Sequence, residues 1–323
     1  MTLARRGSAG LPASPPPASE PAARARFATP GPIDLRLTLG QLRTGPDDPA
    51  LRLDPDGVWL ARRTEAGPAT LRLYRDDAGG DHAIAAEAWG PGAEAALAAA
   101  PGLAGLGDDP TPLVSHHPIV RELQRRFAGM RLPRTGQLVP ALIPAIVGQK
   151  VTATEALRSY AALVRRLGSV APGPRPLLIA PSAESLAALP YFEFHPLGIE
   201  RRRAEVLREV GRLGERIETY VELEPERARE RLCEIPGIGP WTAAEATRAA
   251  MGDPDAVTIG DAHLPDLVSW ALVGEPRASD DRMLELLEPY RGQRARVICL
   301  LQLSGIKIPR YGPRFSPRRI DRI

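Results

Sequence analysis

The last third of the chain gathers a carboxylate, an indole and a pair of glycines within a short span. The run Leu232-Cys-Glu-Ile-Pro-Gly-Ile-Gly-Pro-Trp241 leads through an alanine-rich stretch to Gly252, and Asp261 follows twenty positions after Trp241. Pro225 can open a helix that ends near Ile235, and Pro236-Gly-Ile-Gly239 makes a turn without side chains at its two glycines. Pro240 suits the start of a second helix and Gly252 its cap. Such a hairpin brings bare backbone N–H groups to the positive end of a helix, the combination that grips a phosphate. Gly237 and Gly239 permit close approach, while Ile238 packs between the helices. An ordinary turn between two helices has the same outline. Asp261 follows an apolar stretch and opens a further helix, so its carboxylate can lie beside the helix that starts at Trp241. Capping that further helix is the competing role.

Two regions must hold these residues in place, and together they predict an α+β protein. From Ile33 to Trp89 the pattern favours strands: Leu35, Leu37 and Leu39 alternate with polar residues, as do Leu51-Arg-Leu53 and Leu71-Arg-Leu73. Turn signals such as Asp54-Pro-Asp-Gly57 separate them. A short helix near Ala93 to Ala100 completes a small antiparallel-sheet domain over residues 32–112. After Asp108-Asp-Pro110 helical periodicity takes over and runs through ten segments, which gives a mostly helical domain over 113–312 with the hairpin at 225–251. Residues 1–31, low in hydrophobicity and carrying Pro15-Pro-Pro17, read as a disordered tail; residues 313–323 read as a basic one.

Composition narrows the possibilities. With 43% apolar and 25% charged residues in 323, the chain has an ordinary globular make-up. No apolar run approaches the roughly 20 residues of a membrane span, and the N-terminal segment lacks the apolar core of a secretory signal. The expectation is a cytoplasmic, nucleoid-associated monomer. A net charge of +3 and a pI near 9.1 permit a polyanionic partner. Basic residues cluster at Arg201-Arg-Arg203 and in the C-terminal segment from Lys307 to Arg322. The two cysteines, Cys233 and Cys299, stand in apolar surroundings and are too few for a disulfide framework or a four-thiolate cluster. His116-His117 has no further ligand at metal-binding spacing, so no metal is expected.

Beyond these readings, Ile235-Pro-Gly-Ile-Gly-Pro-Trp241 with Asp261 resembles the helix-hairpin-helix DNA glycosylase superfamily, and within it the 3-methyladenine DNA glycosylase II (AlkA-like) family. Ala145-Ile-Val-Gly-Gln-Lys-Val-Thr152 and Leu197-Gly-Ile-Glu-Arg-Arg-Arg-Ala204 resemble two further elements of that family, and Asp34-Leu-Arg-Leu-Thr-Leu with Ala86-Glu-Ala-Trp-Gly-Pro-Gly resembles its N-terminal sheet domain. The resemblance covers residues 32 to 312.

It implies a cofactor-free enzyme of base excision repair that flips a damaged base out of double-stranded DNA and hydrolyses its glycosidic bond. Asp261 is then the catalytic carboxylate facing C1′. Trp241, Glu245 and Gln149 fall in the base pocket; Gly237, Ile238, Gly239, Lys150, Thr152 and His263 fall among the DNA contacts. Trp241 occupies the position at which strand-cutting members carry a nucleophilic lysine, so release of alkylated purines such as 3-methyladenine and 7-methylguanine without nicking is expected. Glu245 replaces a pocket tyrosine of the family. It either favours a cationic base or pairs with Arg248. Lys150 stands where relatives carry an apolar wedge, and Cys299 or Leu300 where they carry a pocket tryptophan. An oxidised-purine glycosylase of the 8-oxoguanine type and a noncatalytic DNA-binding module are the alternatives.

Overall fold

The computed structural model describes residues 20–76 and 82–309. Five strands, β1 (Ala23–Ala28), β2 (Leu51–Asp54), β3 (Gly57–Thr64), β4 (Gly67–Asp76) and β5 (Ala83–Trp89), form one antiparallel sheet in the order β1-β5-β4-β3-β2. Alternation sets its faces. Val58, Leu60, Leu71, Leu73, Ile84, Ala86 and Ala88 point into a core closed by helix α2 (Ala93–Leu103). On the opposite face Trp59 and Trp89 stack at 5.1 Å between ring centres. A two-stranded hairpin, β6 (Ser169–Val170) with β7 (Leu178–Ile179), covers them through Ala171, Leu177 and Ile179. The sheet domain is thereby keyed to the helical one.

Two expectations for this region are corrected. β1 begins inside the segment read as a disordered tail: Ala23 to Ala28 pairs along its length with β5, from Ala23 opposite Ala88 to Ala28 opposite Ala83. Leu35–Leu39, read as a strand, is helix α1. The Asp34 carboxylate accepts the amides of Arg36 and Leu37, which fixes a helix start, and Leu35 and Leu39 bury together at i, i+4 spacing. Five residues are too few for periods of 2 and 3.6 to be distinguished. The first 19 residues and the basic tail at 313–323 lie outside the described residues.

The helical domain has two halves. Helices α4 (Leu138–Val147), α5 (Ala153–Leu167), α6 (Ala183–Ala188), α7 (Arg201–Arg212), α8 (Gly214–Thr219), α9 (Pro225–Cys233) and α10 (Pro240–Met251) surround one apolar core. Helices α3 (Pro118–Arg126), α11 (Leu264–Val273), α12 (Asp280–Leu287) and α13 (Arg294–Ser304) enclose a second. Helices α7 and α8 are separated at Leu213, where the chain passes Ala183: a Cβ at Gly214 would lie 2.5 Å from that residue's own Cβ. Helix α10 joins the halves, packing Ala243, Ala246 and Ala250 into the first core and Ala244 into a separate small cluster with Ala256 and with Ala295 of α13. Among the described residues no helix is long and apolar enough to cross a membrane.

Candidate active site and nucleic-acid interface

The two helical halves and one edge of the sheet domain bound an open groove of about 2640 Å³. All ten residues singled out from the sequence line it: Asp261, Trp241, Glu245, Gln149, Gly237, Ile238, Gly239, Lys150, Thr152 and His263.

The hairpin is built as its residue types require. Helix α9 ends at Cys233, the amides of Ile235 and Ile238 bond back to the carbonyls of Leu232 and Ile235, and Ile238 buries in the first core. Gly237 adopts φ +89°, and a Cβ there would stand 2.2 Å from Val206 Cγ2. Only glycine fits on both counts. Gly239 differs: its φ is −102° and a Cβ would meet nothing within 4 Å. The space in front of it is open groove, and the next donors are the amides of the first turn of α10, which have no intrahelical acceptor.

Gln149 braces this hairpin. Its Nε2 donates to the Gly237 carbonyl and to Thr242 Oγ1, both at 2.9 Å, tying the end of α4 to the start of α10. Expected in the base pocket, it acts in the structure as a strut on the groove wall. Lys150 follows with φ +54°, a left-handed conformation that is uncommon for residues other than glycine. Its exposed side chain leaves the sharp corner between α4 and α5. Thr152 caps α5: its hydroxyl accepts the Glu155 amide while Glu155 returns to the Thr152 amide, a capping box that occupies the threonine.

A pinned loop delivers Asp261. Gly252, at φ +66°, ends α10, and the chain turns back under two ion pairs, Arg229 with buried Asp253 and Arg294 with Asp255. Burial pushes the Asp255 carboxyl up, yet hydrogen bonds from Arg294 and from the Gly292 amide outweigh it and hold the group below its ordinary value. Ala256 and Thr258 are buried, and the Gly260 amide donates to Asp280 Oδ2 at 3.0 Å. Asp261 is thereby held against the start of α10. Its Oδ1 accepts the amides of His263 and Leu264 at 2.8 and 2.9 Å, so it caps the helix start; its Oδ2 accepts the indole Nε1–H of Trp241 at 3.1 Å. One oxygen thus holds the start of α11, as the capping role requires, and the other reaches the start of α10. On its other side the Trp241 ring lies over Gly148, where a Cβ would be 3.4 Å from Cη2. His263 is exposed beside them.

Glu245 is bonded to Arg248, Oε2 to Nη2 at 2.8 Å. Of the two roles open from the sequence, the ion pair is present, and both partners line the groove. Sequence reasoning missed Arg248 as a groove residue, although it lies at i+7 from Trp241 on the same helical face. It also grouped Arg203 with a solvent-facing basic cluster. Arg203 is buried and donates to the carbonyls of Val147, at 2.6 Å, and Gly198, at 3.2 Å. Its spacing with Val206, Leu207 and Val210 on one face of α7 carried that signal. Lys150, Arg158, Arg202 and Lys307 remain exposed along the groove, a positive lining suited to a phosphate backbone.

No family model matches the chain. Among curated relatives, a thymine-DNA glycosylase of Aeropyrum pernix is 33% identical over 114 residues, covering 35% of this chain and 46% of that protein. A DNA-3-methyladenine glycosylase of Bacillus subtilis is 24% identical over 194 residues, 58% of this chain and 64% of its own. The matched stretches span less than two thirds of either relative. Among solved structures, a 3-methyladenine DNA glycosylase from Archaeoglobus fulgidus superposes with a TM-score of 0.71 at 21% identity, covering 86% of this chain and 97% of that one. An 8-oxoguanine glycosylase/lyase of Clostridium acetobutylicum in complex with DNA reaches 0.64 at 12% identity, covering 83% and 90%. These two likenesses are likenesses of fold.

Proposed function

We propose that this chain, an AlkA-like member of the helix-hairpin-helix DNA glycosylase superfamily, releases alkylated purines from double-stranded DNA by hydrolysis of the N-glycosidic bond. The observation that carries this reading is the placement of the Asp261 carboxylate in the groove, bonded to Trp241 at the first turn after the glycine hairpin.

The phosphates of one strand meet the Gly239 face of the hairpin and the amides of the first turn of α10, contacts that set register without reading sequence. A base inside a duplex is out of reach, so the target nucleotide swings into the groove, and Lys150 at its sharp corner stands in for the displaced base. The everted base stacks on Trp241, where a cationic alkylated purine gains about 0.5 to 2 kcal/mol over a neutral one. As the bond from C1′ to the base nitrogen breaks, its electron pair leaves with the base and positive charge develops on the sugar. Asp261 stabilises that charge electrostatically. Water then adds to C1′ and loses a proton, giving free base and an abasic site.

With tryptophan rather than lysine at position 241, no amine is placed there for a Schiff base, so the strand stays intact. The test is incubation with methylated duplex DNA and with an 8-oxoguanine duplex. Free methylated purine, alkali-labile sites without nicks and no borohydride-trapped adduct are expected. A trapped covalent adduct would overturn the hydrolytic mechanism, and binding without release of any base would leave only a strand-holding protein.

A further inference from the structure

Trp241, Glu245 and Arg248 lie at i, i+4 and i+7 on one face of α10, and all three line the groove. Glu245 and Arg248 are 28% and 16% exposed, so most of each ion is withdrawn from water yet still reachable from the groove. Their mutual bond uses one oxygen of Glu245 and one nitrogen of Arg248. A carboxylate has further lone pairs and a guanidinium further N–H groups. Glu245 holds the Arg248 guanidinium firmly charged, and the buried Cys299 thiol lies beside it. The pair carries no net charge, so it has little to gain from a cationic base as such. What it offers is a pattern: an acceptor flanked by a donor.

We propose that the Glu245–Arg248 pair reads the Watson–Crick edge of an everted guanine-derived base, which makes lesions of the 7-methylguanine type the preferred substrates. This rests on the glycosylase reading above. A guanine edge presents O6 as acceptor next to N1–H and N2–H as donors, which matches a guanidinium next to a carboxylate. An adenine-derived base presents N6–H next to the N1 lone pair, and that lone pair would face the carboxylate. A buried polar group left unpaired in this way is costly, which is why such sites discriminate strongly. Glu245 stands about 6 Å along the helix axis from Trp241, four residues of 1.5 Å rise, within the span of a purine stacked on that ring.

The experiment is a competition within one substrate. Duplex DNA treated with a methylating agent carries both 7-methylguanine and 3-methyladenine, and chromatography of the released bases gives the ratio of their rates. In Glu245→Gln the side chain can turn an amide N–H toward the N1 lone pair of an adenine-derived base and can no longer accept both N1–H and N2–H of a guanine-derived one. The ratio of 7-methylguanine to 3-methyladenine release is therefore expected to fall by at least about fivefold, the lower end for a bidentate contact. Free 7-methylguanine should likewise inhibit the unaltered protein at a concentration at least about fivefold below that of free 3-methyladenine. This second measurement decides the matter should the variant be inactive. Release of both bases with an unchanged ratio, or equal inhibition by the two free bases, would overturn the guanine-reading role and leave the glycosylase assignment standing. Release of neither base by the unaltered protein would remove the assignment itself.

Discussion

Trp241 donates its indole N–H to Oδ2 of Asp261 at 3.1 Å, while Oδ1 of the same carboxylate accepts two amides at the start of α11. The start of α10 and the start of α11 are thus cross-linked through one side chain. Hydrogen bonds at both oxygens restrain the carboxylate, so in the proposed mechanism its field is oriented before the reaction begins. Preorganisation of that kind is what makes an electrostatic contribution to catalysis large.

Trp241→Phe keeps a ring to stack on and removes the bond to Oδ2. A hydrogen bond to a charged group is worth about 1.5 to 3 kcal/mol. Single-turnover base release should slow by roughly ten- to a hundredfold, with affinity for undamaged duplex unchanged. An unaltered rate would mean that the indole does not orient Asp261.

The two hairpin glycines should separate folding from binding. Gly237→Ala forces a Cβ onto Val206 at φ +89° and should lower stability by about 2 kcal/mol or more in denaturant titration. Gly239→Ala meets no atom within 4 Å at an ordinary φ, so its stability should drop by less than about 1 kcal/mol. Its affinity for duplex should nevertheless weaken, because the added methyl group occupies the space a phosphate needs. Undiminished affinity in Gly239→Ala would move the phosphate contact elsewhere.

Much of the local geometry around the hairpin and Asp261 was legible before the structure, because it rests on local rules. The glycine pair, the flanking prolines and the cap at Gly252 each specify a backbone conformation. The helix boundaries of α9, α10 and α11 follow from them within a residue or two. What escaped was set by tertiary contact. Strand β1 exists because β5 offers an edge for Ala23 to Ala28, and the weakly apolar alternation Ala-Arg-Ala-Arg-Phe-Ala does not announce itself beside a proline-rich stretch. Helix α1 depends on the Asp34 cap and on the Asp34 amide donating to the Gly129 carbonyl, nearly a hundred residues away. The bracing role of Gln149 was hidden for the same reason, since both of its acceptors belong to the hairpin.

The loop that carries Asp261 should give stability an acid limb. The Asp255 carboxyl is held below its ordinary value by Arg294 and the Gly292 amide. Its ionised form is therefore favoured in the folded state, and the stability it contributes is present above the unfolded value near 3.8 and lost as pH falls through the lower folded value. Asp255→Asn should be less stable than the parent at neutral pH, and the difference should shrink as pH falls below about 4. Thermal melts from pH 7 to pH 3 measure this. A difference independent of pH would assign the loss to packing.

The most direct measurement compares Asp261→Asn with the parent on methylated duplex DNA. Asparagine is an equally good helix cap, so the fold and the grip on DNA should persist, and duplex affinity should be equal or higher. Base release under single-turnover conditions should fall by at least about a hundredfold, because the proposed mechanism loses the anion it sets against the sugar. Release within a few-fold of the parent, from a variant that still binds, would show that residue 261 only caps α11 and that the chemistry is done by another group.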